Sequence, residues 1–208
     1  MHVVALALGS QICSGGARHD EVDFEFLGNA SGEPYLLHTN IFSGGEGGRE
    51  QQFALWFDPT ADFHTYSILW NPHNIILYID GAPIRVFRDN AARGVPFPAR
   101  QPAHVFASIW DAEEWATQGG RVKTDWSKAP FVANYDNIHL DICECGAGGC
   151  ATSCPAAAAQ YNGACQLSPA ERGQMQWVQS NYRIYDYCAD PKRWIYGQKP
   201  VECGLTQH

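Results

Sequence analysis

Residues 19–26, which read His-Asp-Glu-Val-Asp-Phe-Glu-Phe, constrain the fold of this chain more than any other segment. Successive side chains of a β-strand point to opposite faces of a sheet. In an extended conformation one face carries only ionisable groups, from His19, Glu21, Asp23 and Glu25. The other face carries the apolar Val22, Phe24 and Phe26, with Asp20 as the single exception. Because aligned carboxylates repel each other and add nothing to stability, the pattern predicts a strand whose acidic face has a chemical role.

The three alternating carboxylates suit the cleavage of a glycosidic bond, which needs one protonated and one ionised carboxyl group. On an ideal strand the Cα atoms of Glu21 and Glu25 lie about 13 Å apart. Side chains that lean together on a concave sheet would bring the carboxyls to the roughly 5–5.5 Å of retaining enzymes. We expect Asp23 to hydrogen-bond one of them and to separate their pKa values. His19 is a candidate for binding a substrate hydroxyl or orienting a carboxylate.

Two other interpretations of the acidic strand are a solvated surface and a Ca²⁺ site. A solvated acidic face would interleave Lys or Arg with the acids, and none occurs from Asp20 to Gly48. A Ca²⁺ site built from Asp23 and its neighbours would use hard oxygen ligands, but a straight strand wraps a cation poorly. The sequence therefore favours catalysis with no metal and no cofactor.

The composition bounds the fold and the partners. With 208 residues, 45% of them apolar, the chain can bury a core of its own. A net charge of −8 without acidic blocks predicts that it binds no nucleic acid, whose backbone it would repel. No apolar run reaches the roughly 20 residues that span a bilayer, so no membrane partner is expected. We expect a monomer.

Eight cysteines are present, seven of them from Cys143 onward. This distribution predicts a disulfide-stapled C-terminal region and an oxidising compartment. Zinc is the competing interpretation, but the spacing of the first four C-terminal cysteines matches no pair of C-x2-C motifs. The sequon at Asn29-Ala30-Ser31 agrees with an exported protein. No signal peptide is recognisable, and the apolar residues 3–8 suggest instead a buried strand in a chain that begins inside a domain.

Runs rich in branched and aromatic residues predict an all-β fold, an antiparallel sandwich, up to about residue 142. These runs lie at 3–8, 53–57, 64–70, 75–79, 84–87, 104–110 and 138–143. Asp80-Gly81 is a two-residue hairpin signal. After a low-complexity, cysteine-bearing loop, a capping box at Ser168-Pro169-Ala170-Glu171 predicts a helix over 169–182. The segment 186–208 is predicted to be a strapped extension.

The tryptophans fall into two groups. Trp110 and Trp115 flank an acidic loop at a strand end, where stacking on sugars is the better interpretation. Trp56, Trp70 and Trp126 are expected in the core, because most tryptophan side chains are largely buried.

The acidic segment resembles the signature of plant xyloglucan endotransglucosylase/hydrolases, which are glycoside hydrolase family 16 enzymes of the cell wall. The similarity extends over nearly the whole chain, through 19–29, 38–40, 49–51, 55–60, 63–67, 94–98, 110–117, 123–131 and 185–188. It implies a concanavalin-like β-jelly-roll sandwich at 1–142 and a short disulfide-bonded C-terminal extension with a helix at 143–208. It also implies a secreted, apoplastic enzyme that transfers xyloglucan from a donor chain to an acceptor chain by retaining double displacement.

The resemblance also implies roles for individual residues. Glu21 is the expected nucleophile, Glu25 the general acid/base and Asp23 the assisting residue. The implied sugar contacts are His38, Thr39, Asn40, Gly48, Arg49, Glu50, Trp110, Trp115, Ala116, Gly120 and Arg193. Asn29 is the implied glycosylation site. The implied disulfides are Cys188–Cys203, and Cys154 with either Cys143 or Cys145.

The chain departs from the family pattern in three places. The family has a signal peptide and several strands before its acidic strand, whereas only a remnant strand at 4–11 precedes it here. An insert at 12–18 lies where a tight turn is expected, and there are more cysteines at 143–165 than is usual. Two alternatives to the transferase therefore stay open: a mainly hydrolytic enzyme and an inactive glucan-binding fragment.

Overall fold

The computed structural model describes residues 6–30, 32–99, 101–142, 145–146, 149–150, 166–194 and 196–205, and these are mainly β. The strands, in chain order, are β1 Leu6–Ser14, β2 Glu21–Leu27, β3 Leu36–Phe42, β4 Gln51–Ala54, β5 Tyr66–Trp70, β6 Asn74–Ile79, β7 Ala82–Arg88, β8 Ala103–Asp111, β9 Cys145–Gly146, β10 Gly149–Cys150 and β11 Arg183–Asp186. The predicted all-β class is confirmed.

The larger sheet has six strands in the order β11-β4-β3-β2-β1-β8, and each neighbouring pair is antiparallel. The acidic strand β2 therefore lies in the interior of the sheet, between β1 and β3. On the non-acidic face of this sheet, five apolar side chains of β2, β3 and β4 are each at most 2% exposed: Val22, Phe24, Leu37, Ile41 and Phe53. Burial of this apolar face fixes the register, because a slip by one residue would turn the carboxylates into the core.

The outer strand β8 has a different environment. Its residues are exposed nearly throughout, including the apolar side chains of Val105, Phe106 and Ile109. It pairs with β1 on one side, and no strand in the described ranges pairs with its other side. An edge strand with apolar side chains in solvent is the part of a sheet most open to association with another strand.

A second compact unit contains the antiparallel sheet β5-β6-β7. Its β6–β7 turn is Asp80-Gly81, and both residues have positive φ, at 48° and 77°. Two positive φ values define the type I′ hairpin turn that the sequence predicts. Ile76 and Val86 of this sheet pack with Leu167 and Met175 in a buried cluster.

Two α-helices are described, α1 at Ala116–Gly120 and α2 at Pro169–Asn181. Helix α2 begins with the predicted capping box: the Glu171 carboxylate accepts from the Ser168 backbone N–H at 2.8 Å. The Ser168 hydroxyl accepts from the Glu171 N–H at 3.2 Å. Helix α1 is irregular, with positive φ at Thr117, Gln118 and Gly119. No helix in the described ranges has the length and apolarity needed to cross a membrane.

Short 3-10 helices connect the remaining segments, at Ala91–Arg93, Trp126–Lys128, Tyr187–Ala189, Pro191–Arg193 and Val201–Gly204. The predicted disulfide Cys188–Cys203 is present, and it joins the 3-10 helix Tyr187–Ala189 to the 3-10 helix Val201–Gly204. The predicted pairing of Cys154 with Cys143 or Cys145 involves Cys143 and Cys154, which lie outside the described residues.

Three expectations from the sequence are wrong. The run 138–143 forms no strand over its described residues 138–142, and Ile138, Leu140 and Ile142 are exposed. Trp126 is 58% exposed rather than in the core. The insert at 12–18 is not wholly a turn, because β1 continues through Ser14 and pairs Cys13 with Glu21.

The C-terminal extension is attached to the large sheet through a strand and an ion pair. Strand β11 pairs with β4, and Tyr187 N–H donates to the Glu50 carbonyl at 3.0 Å. Arg49 Nε donates to Glu202 Oε1 at 3.0 Å, and both side chains are buried. The Arg49 guanidinium also donates to the carbonyls of Ile41 and Glu46. One buried cation therefore joins the turn after β3 to the end of the described chain.

We expect the buried pair to show strong coupling on substitution. Arg49→Met or Glu202→Leu alone should lower the free energy of unfolding by about 3 to 5 kcal/mol, because each leaves a buried charge unpaired. The double variant should lose less than the sum of the two. Urea denaturation measures this, with Lys123→Met, in an exposed pair with Glu113, as a control that should change by no more than about 0.5 kcal/mol. Additive losses would show that the two charges are not coupled.

Candidate active site

The carboxylates of β2 share one face of the large sheet and are flanked by polar partners on both sides. Asp23 lies opposite Asn40 on β3, and Glu25 lies opposite His38. On β1, Cys13 lies opposite Glu21. Directly opposed residues of antiparallel strands point to the same face, so these side chains form one continuous surface. The predicted acidic strand is thus observed with its alternation intact.

Glu25 is a carboxyl of this surface whose pKa is raised. It is 8% exposed, and its Oε1 lies 3.9 Å from His38 Nε2. Burial, together with the negative charges of Glu21 and Glu50, raises the pKa of Glu25 from 4.5 to about 7. This carboxyl therefore retains its proton over a pH range in which an ordinary glutamate is ionised.

Glu21 has different neighbours. Its Oε2 lies 3.0 Å from His19 Nε2 and accepts from the Cys13 thiol at 3.4 Å. His19 is held by its other ring nitrogen, since Nδ1 lies 3.1 Å from the Gly16 carbonyl. Donors facing a carboxylate stabilise its charged form. Burial, followed by the charge of Glu21, raises the pKa of the Cys13 thiol to about 11. The two glutamates of the row are therefore held in contrasting environments.

His38 connects the acid Glu25 to the next strand and to an aromatic side chain. Its Nδ1 lies 3.1 Å from Gln52 Nε2, and the His38 ring meets Trp115 edge-on at 5.8 Å between centroids. The position of His38 beside Glu25 is thus fixed from two sides.

Glu50, which raises the pKa of Glu25, pairs with Arg193 from the C-terminal extension through a short ion pair. Gly48 adopts a positive φ of 80°, and a Cβ there would lie 3.7 Å from the Arg193 guanidinium. The extension therefore contributes a cation next to the acidic face.

Three implied sugar contacts have other roles in the structure. Thr39 lies opposite Phe24, on the face away from the carboxylates, and its hydroxyl donates to the Gln51 carbonyl. Arg49 is buried in its pair with Glu202. The Asn40 side-chain oxygen accepts from the backbone N–H groups of Ile41 and Arg49. These placements do not support sugar contacts by Thr39 and Arg49, and they make Asn40 a support for the chain beside Asp23.

A cleft of about 300 Å³ continues the surface beyond Glu25. Its lining comes from Leu27, Gly28, Asn29, Leu36, Gln52 and the segment 115–119. Trp115 is 48% exposed at its rim, and Ala116 is buried beneath it. Gly120 closes this turn, because its positive φ and the nearby Glu113 and Glu114 carbonyls leave no room for a Cβ. The implied sites Trp115 and Ala116 are thus gathered here, whereas Gly120 shapes the turn.

Trp110 forms a second aromatic wall and lies over Gly9. A Cβ placed on Gly9 would be 2.8 Å from Trp110 Cζ3. Gly9 is opposite Glu25 on β1, so the absence of its side chain lets the indole lie beside the acid. Trp110 also packs against the buried cluster of Leu27 and Ala112.

The sequence did not single out four residues that hold this site together. Gln52 positions His38, Cys13 contacts Glu21, and Glu202 pairs with Arg49. Asp20, the exception to the alternation, is buried and accepts from the Gly44 N–H at 2.9 Å, so it braces the loop after β3. Two of them carried a local signal, since Gln52 is two residues from Glu50 and Asp20 interrupts the apolar face of the acidic strand.

Comparison with known proteins assigns both parts of the chain. Residues 2–128 match the family model of glycosyl hydrolases family 16, and residues 155–203 match that of the xyloglucan endo-transglycosylase (XET) C-terminus. The chain is 52% identical over 201 residues to xyloglucan endotransglucosylase protein 1 of Diospyros kaki, covering 97% of this chain and 66% of that protein. It is 51% identical over 195 residues to xyloglucan endotransglucosylase/hydrolase protein 22 of Arabidopsis thaliana, covering 91% and 68%.

The chain spans about two thirds of the length of these curated relatives. Among solved structures, a β-glucanase of Bacillus licheniformis is similar at a TM-score of 0.45 and 25% identity, over 54% of this chain and 51% of that chain.

We expect the raised pKa of Glu25 to make stability depend on pH. The folded state keeps a proton that the unfolded chain loses between pH 4.5 and about 7, so the free energy of unfolding should fall as pH rises through that range. Glu25→Gln should remove this decline and gain on the order of 2 to 3 kcal/mol relative to the wild type between pH 5 and pH 8. Chemical denaturation across that range measures it, with exposed Glu33→Gln as a control that keeps the wild-type slope. If the free energy of unfolding changed with pH in the same way in the wild type and in Glu25→Gln, the raised pKa of Glu25 would be contradicted.

Proposed function

Because the chain belongs to glycosyl hydrolases family 16, we propose that it cleaves the β-1,4-glucan backbone of xyloglucan with retention and transfers the glycosyl unit to another xyloglucan chain. The observation that carries this proposal is the pair of glutamates on one strand face in unlike environments, one with a pKa of about 7 and the other hydrogen-bonded. The names of the relatives and the match to the XET C-terminus support xyloglucan as donor and acceptor.

Glu25 is the general acid in this mechanism. Its carboxyl holds a proton near neutral pH and donates it to the glycosidic oxygen as the bond to the leaving sugar breaks. In the second half of the reaction the Glu25 carboxylate takes the proton from the incoming sugar hydroxyl. A pKa near the operating pH suits both transfers.

Glu21 is the nucleophile, whose carboxylate oxygen forms a covalent bond to the anomeric carbon. His19, 3.0 Å from that carboxylate, orients it. Asp23, 1% exposed between the two glutamates, is the assisting residue. Its position between the two glutamates lets it hydrogen-bond to one of them.

The sugar chain would lie along the acidic face and into the cleft beyond Glu25. Trp110 and Trp115 offer aromatic faces for stacking, and His38, Glu50 and Arg193 offer hydrogen-bonding groups. Transfer exceeds hydrolysis when these groups hold an acceptor sugar in place, because its high local concentration offsets that of water.

The proposal extends to compartment and organisation. The disulfide Cys188–Cys203 supports an oxidising, extracellular setting such as the cell wall, with Asn29 as the glycosylated position. Residues 1–142 would carry the chemistry, and residues 143–208 would be the extension that supplies Arg193. The protein would act as a monomer on polysaccharide.

Substitution of the nucleophile tests the mechanism and separates the alternatives. Glu21→Ala should lower turnover by at least about 10³-fold and remove the covalent intermediate, because the substitution removes the attacking carboxylate. The assay mixes xyloglucan with a fluorescent oligosaccharide acceptor and measures both label incorporation and chain length. Transfer places label in the polymer, whereas hydrolysis shortens the chains regardless of acceptor. Wild-type turnover in Glu21→Ala would overturn the mechanism, and binding without turnover in the wild type would identify a glucan-binding fragment.

The Glu50–Arg193 pair should set the alkaline limit of activity. Glu50→Gln removes a negative charge near Glu25 and should move the falling limb of kcat/KM by roughly 0.5 to 1 pH unit to lower pH. Arg193→Gln leaves the Glu50 charge unpaired and should move the limb to higher pH. A pH–rate profile of each variant measures the shift. If the falling limbs of the two variants moved in the same direction, the Glu50–Arg193 pair would not set the alkaline limit.

A further inference from the structure

Three side chains of different chemistry converge at the Glu21 end of the acidic row. The ligand atoms of Cys13, His19 and Glu21 all lie within 4.8 Å of one another. The Glu21 Oε2 atom is 3.0 Å from His19 Nε2 and 3.4 Å from Cys13 Sγ. No other group of three His, Cys, Asp or Glu side chains in the described ranges meets this criterion.

These distances suit a tetrahedral metal ion. Ligand atoms bound to Zn²⁺ at about 2.0 to 2.3 Å lie roughly 3.5 Å from each other across a tetrahedral angle. The backbone fixes two of the ligands, because Cys13 and Glu21 are direct partners in the β1–β2 ladder. His19 lies two residues before Glu21, at the end of the turn between those strands. The site therefore needs only small side-chain movements to receive an ion.

The surroundings of His19 also fit metal coordination. Its Nδ1 lies 3.1 Å from the Gly16 carbonyl, which holds a proton on Nδ1, so a metal ion would replace the Nε2 proton that faces the Glu21 carboxylate. A histidine that ligates a metal through one nitrogen commonly donates from the other to a backbone carbonyl. All three side chains are partly exposed, so an ion and a water molecule in a fourth position can reach them.

We propose that Cys13, His19 and Glu21 form a Zn²⁺ site that inhibits the enzyme reversibly. A thiolate, an imidazole and one carboxylate oxygen select Zn²⁺ over Ca²⁺ or Mg²⁺, which prefer oxygen ligands alone. On binding, the Cys13 thiol releases its proton to solvent, and the two anionic ligands neutralise the dication. Asp23, one position along the same face, adds a further negative charge that attracts the ion.

The inhibitory effect rests on the proposed function, whereas the metal site itself does not. If Glu21 is the nucleophile, an ion bound to its carboxylate removes the electron pair that attacks the anomeric carbon. The metal is therefore an inhibitor in this account and not a cofactor.

Binding of the metal alone is tested first. Calorimetry with Zn²⁺ on the full chain should show one site. Its affinity should fall by about 100-fold in Cys13→Ser and in His19→Ala, because loss of a ligand costs at least as much affinity as loss of a residue that only orients a ligand. Co²⁺ should give a thiolate-to-metal charge-transfer absorption that Cys13→Ser abolishes and His19→Ala weakens. His104→Ala is the matched control, because His104 is the β8 partner of Cys13 but lies outside the three-ligand group. Unchanged affinity and absorption in Cys13→Ser would place the metal elsewhere and overturn the proposal.

Activity is tested second, with each variant compared with its own rate in a chelator. Zn²⁺ should inhibit the wild type and His104→Ala at the same concentration, a chelator should restore the rate, and Cys13→Ser should need about 100-fold more Zn²⁺. Cys13-dependent Zn²⁺ binding in a protein with no turnover even in chelator would overturn the proposed function and leave the site standing. Turnover with no Cys13-dependent binding would overturn the site and leave the function standing.

Discussion

The crowding of negative charge on one face of the large sheet is the constraint around which that sheet is organised. Carboxylates placed side by side raise each other's free energy, and burial increases the effect because less water screens them. The structure relieves this in a different way at each position. Glu21 receives His19 and Cys13, Glu50 receives Arg193, and Glu25 keeps its proton. The like groups of this face are therefore held in unlike environments.

Placing such a surface in the interior of a sheet requires rigid support from the opposite face. The apolar side chains beneath β2 and β3 are almost fully buried, so the backbone that carries the carboxylates has little freedom to move. Side-chain positions are then set by neighbours on adjacent strands, as Gln52 does for His38. Gly9 shows the same dependence, because the lack of a side chain on β1 lets Trp110 lie beside Glu25.

Local signals in the sequence predicted the features that depend on a few consecutive residues. The acidic alternation, the Asp80-Gly81 turn and the capping box at Ser168 all hold in the structure. The disulfide Cys188–Cys203 came from the family resemblance instead. Features that depend on distant partners were missed: Arg49 looks like a surface cation until Glu202 is placed beside it, and the role of Asp20 needs the Gly44 amide. The apolar run at 138–143 was predicted to be a strand, but its described residues 138–142 form none. Its composition suits a strand, yet a strand also needs a neighbour with which to pair.

The dependence of the acidic face on β11 and Arg193 has a consequence for biosynthesis. A ribosome adding about 5 to 20 residues per second makes β2 roughly ten to thirty seconds before it makes Arg193. During that interval β4 is an open edge, Arg49 lacks Glu202, and no cation faces Glu50. The nascent polypeptide thus holds the carboxylates of the acidic face in an unfinished electrostatic setting until Arg193 and Glu202 have been made.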